Sequence, residues 1–158
     1  MFKIPVKPLT VNQCFRSIKG RSIKSKKYRD FEKEINKHLP DELLREFAFQ
    51  YDHNKHYIRA EYYFSIDDLY TKSKRKKDDI VYNKGCISRT SGDVDNYVKA
   101  YQDLLFKRLR EFNVTLDDSQ VLESKQVKTF ALTNSITTIL TLGSLQEFKS
   151  KLQVSDIA

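Results

Sequence analysis

The chain has 158 residues, one domain's worth with a single ordinary core, and no second domain is expected. Its 29 Lys and Arg against 21 Asp and Glu give a formal charge of +8, which makes nucleic acid the default partner and a plainly solvated basic surface the alternative. Cys14 and Cys86 lie far apart without C-x-x-C spacing, so neither a zinc site nor a disulfide framework is suggested. No apolar run approaches a signal core or membrane span, so a soluble protein without membrane association is expected, in a reducing, cytoplasmic setting.

In chain order, Phe2, Ile4 and Val6 alternate with Lys3, Pro5 and Lys7, which predicts a first strand at a sheet edge, where Pro5 is tolerated. Arg16 to Arg29 holds Arg16, Lys19, Arg21, Lys24, Lys26, Lys27 and Arg29 with no acid among them, a phosphate-binding candidate or else a solvated loop. Tyr28, Phe31, Ile35 and Leu39 predict a helix over Ser25–Leu39 closed by Pro40, and Asp41–Phe47 adds another turn. The period of two from Tyr57 to Phe64 predicts a central strand with one buried face. His53 and His56 share i,i+3 spacing but lie in a polar turn, a poor setting for metal ligands.

Thr71–Lys77, with Lys72, Lys74, Arg75, Lys76 and Lys77, has no hydrophobic periodicity and is expected to be a flexible basic loop. Either it folds over a phosphate backbone, with Tyr82 stacking on an unpaired base, or it is simply solvated. Near the C-terminus, Glu123–Leu132 and Ile136–Leu142 are rich in β-branched residues and flank Thr133-Asn134-Ser135, which predicts a hairpin. A short amphipathic helix over Leu145–Leu152 and a frayed Gln153–Ala158 complete a mixed α/β (α+β) layer of helices on a sheet.

The chemistry concentrates in Ser91–Val121. Asp93 and Asp95 are two apart, so an extended entry places both carboxylates on one side, where they can share a cation. Asp93 suits an N-cap, and Val94, Val98, Tyr101, Leu105, Leu109 and Phe112 predict a helix running to about Phe112. Lys99 is i,i+4 from Asp95, at the positive end of the helix dipole, which also suits a phosphate. If the chain returns Asp117-Asp118 to this end, three converging aspartates suffice for Mg²⁺, which prefers a few carboxylates plus waters and phosphate oxygens. The plainer alternative is that Asp93 caps the helix, Asp95 sits in its first turn, and Asp117-Asp118 are turn residues.

Asp93-Val94-Asp95-Asn96, Lys99-Ala100, Asp103 and Asp118-Ser119-Gln120-Val121, in that order, resemble the RusA family of Holliday-junction resolvases. Val11-Asn12, with Arg16, Arg21, Ser25-Lys26 and Tyr28-Arg29 after it, is similar to that family's opening segment. Two departures stand out: Ser91-Gly92 replaces a Lys-Pro before the acids, and the Phe106–Leu116 connection is longer and lacks glycine. The resemblance implies a small single-domain RusA-like fold, a homodimer that resolves four-way junctions in DNA recombination and repair with Mg²⁺ or Mn²⁺, each subunit nicking one strand. It implies Asp93, Asp95 and Asp118 as metal-binding catalytic carboxylates, Lys99 as the basic residue beside them, and Asp117 as a weaker candidate.

Together with the charge pattern, the DNA-binding candidates are Asn12, Arg16, Arg21, Lys24, Lys26, Lys27, Lys74, Arg75 and Lys76. The competing functions are a non-catalytic junction-binding or DNA-binding protein and a less selective flap nuclease.

Overall fold

The structure, a computed structural model, describes residues 1–69 and 93–157, the last four of them by backbone alone. The expectations for Thr71–Lys77, for Lys74, Arg75 and Lys76, and for Tyr82 and Cys86 lie outside the described residues. In chain order the elements are β1 (Phe2–Ile4), a 3-10 turn at Val11–Gln13, β2 (Phe15–Ile18), β3 (Arg21–Lys24), α1 (Lys26–His38), α2 (Asp41–Gln50) and β4 (His56–Ile66). There follow α3 (Val94–Phe112), a second 3-10 turn at Asp118–Gln120, β5 (Val121–Phe130), β6 (Ser135–Ser144) and α4 (Leu145–Ile157).

The main sheet has the order β1-β6-β4-β5. As the alternation predicts, β4 is interior: Ile58, Ala60, Tyr62, Phe64 and Ile66 form its buried face, each at most 2% exposed. β6 pairs antiparallel with β4, and β5 pairs parallel with it, so β4, α3 and β5 make a crossover unit. β1 pairs only with β6 and forms one edge, where Pro5 follows its last residue and costs no ladder bond.

Three expectations are corrected here. β5 and β6 are not a hairpin, because β4 lies between them. Their connection instead crosses the end of β4, where the Ala131 N–H bonds the Ile66 carbonyl at 3.2 Å and the Asn134 side chain accepts from the Asp67 N–H at 2.9 Å. At the C-terminus the helix continues through Gln153 to Ile157. The turn expected after Pro40 is a full ten-residue helix, α2, with Leu44 and Ala48 buried.

α3 matches its expected span and is the helix around which the core closes. Tyr97, Val98, Tyr101, Leu104, Leu105, Phe106 and Leu109 are buried, which a stripe at helical spacing produces on one face. Tyr101 sets its ring edge-on to both Tyr62 and Phe64, at 5.7 and 6.3 Å between centroids. Its hydroxyl shares a 2.7 Å hydrogen bond with Thr138 of β6, so the polar tip is satisfied inside an apolar core. Tyr62 donates to Gln102 at 2.7 Å, fixing the rotation of α3 on the sheet. On the other face of the sheet, Phe148 of α4 packs on Tyr57 at 4.9 Å.

Candidate active site and DNA-facing surface

Asp93 occupies the N-cap position of α3 with an extended backbone, and its carbonyl accepts from the Asn96 N–H at 3.1 Å. Its side chain makes no capping bond, so the carboxylate is not spent on the helix end. Asp95 lies one turn below Lys99, 3.4 Å from its ammonium, and both side chains are more than half exposed. An acid in the first helical turn is favoured by the dipole, and the i,i+4 cation adds to it.

Asp103 continues the same stripe, four residues beyond Lys99, and is the site residue that the sequence reading left without a role. Its carboxyl is pushed above the usual range, first by desolvation and then by the charge of Asp118, although the residue as a whole remains open to solvent. Asp118 also raises the pKa of the buried Tyr62 hydroxyl, after desolvation and Tyr101. Asp118 therefore stands beside the middle of α3. Asp95 and Asp103 are eight residues apart, about 12 Å along the axis. Lys99 is thus the link between the acids at the helix N-terminus and the Asp103–Asp118 pair. Among the described residues, no three His, Cys, Asp or Glu side chains are gathered closely enough to hold a metal ion.

Asp117 has a different place. Its carboxylate accepts from the Ser119 N–H at 2.9 Å, and its own N–H donates to Gln120 at 2.9 Å, a reciprocal cap for the short turn. The bonds with Ser119 first, and the nearby Arg110 cation after them, hold its pKa below the ordinary carboxylate range. Cys14 is buried and free, its thiol pushed up to about 11 by burial and then by Asp103, which makes it unreactive. His56 Nδ1 accepts from the Asp52 N–H at 3.1 Å, a structural use.

The stretch before α1, read as a phosphate-binding candidate or else a solvated loop, is a β-hairpin. Arg16-Ser17-Ile18-Lys19 and Arg21-Ser22-Ile23-Lys24 are the same tetrapeptide on either side of Gly20, a repeat that sequence reading passed over. Lys19 at φ 50° and Gly20 at φ 76° form a two-residue turn with both central residues left-handed, whose twist matches paired strands. Ser25 closes the hairpin onto α1 by accepting from the Tyr28 N–H at 3.1 Å and donating to the Gln13 carbonyl at 2.5 Å. Asn12, Arg16, Arg21, Lys24, Lys26 and Lys27 are all exposed on this one region. Lys26 and Lys27 begin α1 with no acid in its first turn, where the helix dipole repels cations, an arrangement that an anionic partner relieves.

The family model for the endodeoxyribonuclease RusA matches residues 5–139. The chain belongs to the RusA family. It is therefore an endodeoxyribonuclease of the Holliday-junction resolvase class, a hydrolase. No curated protein matches it. The RusA match runs from before the Asn12 turn into β6, so the acids, Lys99 and the hairpin all fall inside it. The donors suit the divalent cation that RusA nucleases generally use: carboxylate oxygens, the Asp93 group without a capping bond, at the positive end of a helix.

Proposed function

We propose that the protein is a Mg²⁺-dependent or Mn²⁺-dependent resolvase that acts as a homodimer and nicks two symmetry-related strands of a four-way junction, in recombination and repair. The observation that carries this reading is that Asp93, Asp95 and Lys99 stand at the N-terminus of α3 in a chain that also presents a strongly basic, exposed hairpin region. Asp93, Asp95 and Asp118 would hold the cation, which when bound supplies Lewis acidity toward the scissile phosphate and an attacking water. Lys99, 3.4 Å from Asp95, offsets charge on the phosphate as it gains a fifth oxygen. The helix N-terminus adds its own attraction for the phosphate. Asn12, Arg16, Arg21, Lys24, Lys26 and Lys27 position the DNA through its backbone, a role proposed for Lys74, Arg75 and Lys76 as well.

Two-fold symmetry in a junction matches two sites related by a protein dyad, which is why a homodimer is the proposed acting species. A second reading, junction binding without cleavage, draws on one observation: among the described residues no three acids are gathered closely enough to hold a metal ion. Asp95→Ala separates the two. Loss of cleavage by about 10³-fold or more with junction binding retained supports the metal-site reading. Undiminished cleavage by the variant contradicts it.

A further inference from the structure

The two copies of Arg-Ser-Ile-Lys have a consequence in the ribbon they form. Arg16 pairs directly with Ile23, and Ile18 with Arg21. Directly opposed residues of an antiparallel pair share a face, so one face carries Arg16, Ile18, Arg21 and Ile23 in a checkerboard, arginines on one diagonal and isoleucines on the other.

The opposite face carries Phe15, Ser17, Ser22 and Lys24 and leans on the start of α1. Phe15 stacks on Tyr28 at 5.8 Å, Lys24 lies 5.2 Å above the same ring, and its ammonium is 3.8 Å from Glu32. The checkerboard face therefore turns outward. Ile18 and Ile23 are each 39% exposed, both arginines are exposed, and no described acid pairs with either arginine.

We propose that this face contacts DNA at the branch point, with Arg16 and Arg21 on phosphates and Ile18 and Ile23 against base faces that the branch leaves unstacked. The proposal rests on the junction-resolving reading above and adds to it the part of the chain that distinguishes branched from linear DNA. A two-stranded ribbon is narrow enough to enter a major groove, and aliphatic side chains are the kind that wedge between base steps. Along intact duplex, exposed isoleucine gains little, because stacked bases hide their faces and the backbone presents only charge. A face that alternates cation and branched aliphatic fits a substrate offering phosphates and bare bases side by side. Self-association through this face is disfavoured by charge, since from Phe15 to Arg29 the chain has no acid to meet a second set of arginines.

The test compares the wild type, Ile18→Thr/Ile23→Thr and Arg16→Gln/Arg21→Gln for binding to a synthetic four-way junction and a matched linear duplex in EDTA, where nothing is cut. Threonine keeps the β-branching of the strands. The isoleucine variant is expected to lose about tenfold in junction affinity while its duplex affinity is unchanged. The arginine variant is expected to lose affinity for both DNAs, with a salt slope smaller by about 2 for each protomer engaged. A 2-aminopurine base at the branch should brighten on binding the wild type and stay quenched with the isoleucine variant.

An isoleucine variant with wild-type preference and wild-type fluorescence overturns the proposal, as does an equal loss on both DNAs or a change in sedimentation, which marks a self-contact. Circular-dichroism melting checks that the variants fold, and Ile18→Leu/Ile23→Leu, apolar but not β-branched, should restore branch preference. If the wild type itself fails to prefer the junction, the resolvase reading has failed rather than the assignment of this face.

Discussion

Asp103 shows how a motif side chain with no role assigned from sequence can be read from its neighbours. Its pKa is raised, so the protonated form is favoured on folding: the group contributes stability below the unfolded value, and this is lost as pH rises through the folded value. Asp103→Asn should therefore match the wild type near pH 3 and be more stable at pH 7 by a few tenths of a kcal/mol, the size suited to a solvent-screened group, in paired thermal melts. Asp41 runs the other way. Arg108 donates to it at 2.8 Å and holds its pKa down, so its contribution is present above the ordinary value of 3.8 and fades as pH falls. Arg108→Gln should cost about 1 kcal/mol in urea unfolding at pH 7 and almost nothing near pH 2.

The placement of Asp93, Asp95 and Lys99 at one helix end was legible because i,i+2 and i,i+4 spacings are local geometry. The position of Asp118 was not, since it depends on the length of α3 and on how the chain returns to β5.

At the scale of elements, α3 was readable to its last residue because its buried stripe holds one period throughout Val94–Phe112. The hairpin was hidden because a charged repeat with every residue exposed has no buried face to impose alternation, and only Lys19-Gly20 marks the turn. At Gly20 an added Cβ meets no neighbour but must adopt φ 76°, so Gly20→Ala should loosen the hairpin by about 1 kcal/mol, seen as faster amide exchange in β2 and β3 while the core is untouched.

Gly143 is the opposite case. A Cβ there would overlap the Tyr57 ring, which is backed by Phe148 and cannot retreat, so Gly143→Ala should cost about 1–3 kcal/mol in global unfolding. The supposed β5–β6 hairpin misled for a related reason. Two β-branched runs around a polar turn specify strands, but β4 offers each a longer apolar partner than they offer one another, and no local signal records that choice.

For the whole molecule, the separation of roles is what matters: a helix-on-sheet core positions acids along α3, while cations gather on the hairpin and the first turn of α1. Because the cations are the proposed phosphate contacts, junction affinity should fall steeply as salt rises. Among the described residues no helix is long and apolar enough to cross a membrane. The measurement that bears most directly on the account is incubation of the purified protein with an end-labelled four-way junction and its matched linear duplex, each with Mg²⁺ and with EDTA, resolved on a denaturing gel. Paired nicks at symmetric positions in the junction alone, abolished by EDTA, are the predicted result. Junction bound in a parallel native gel but never nicked in Mg²⁺ or Mn²⁺, or nicked equally well in EDTA, would contradict it.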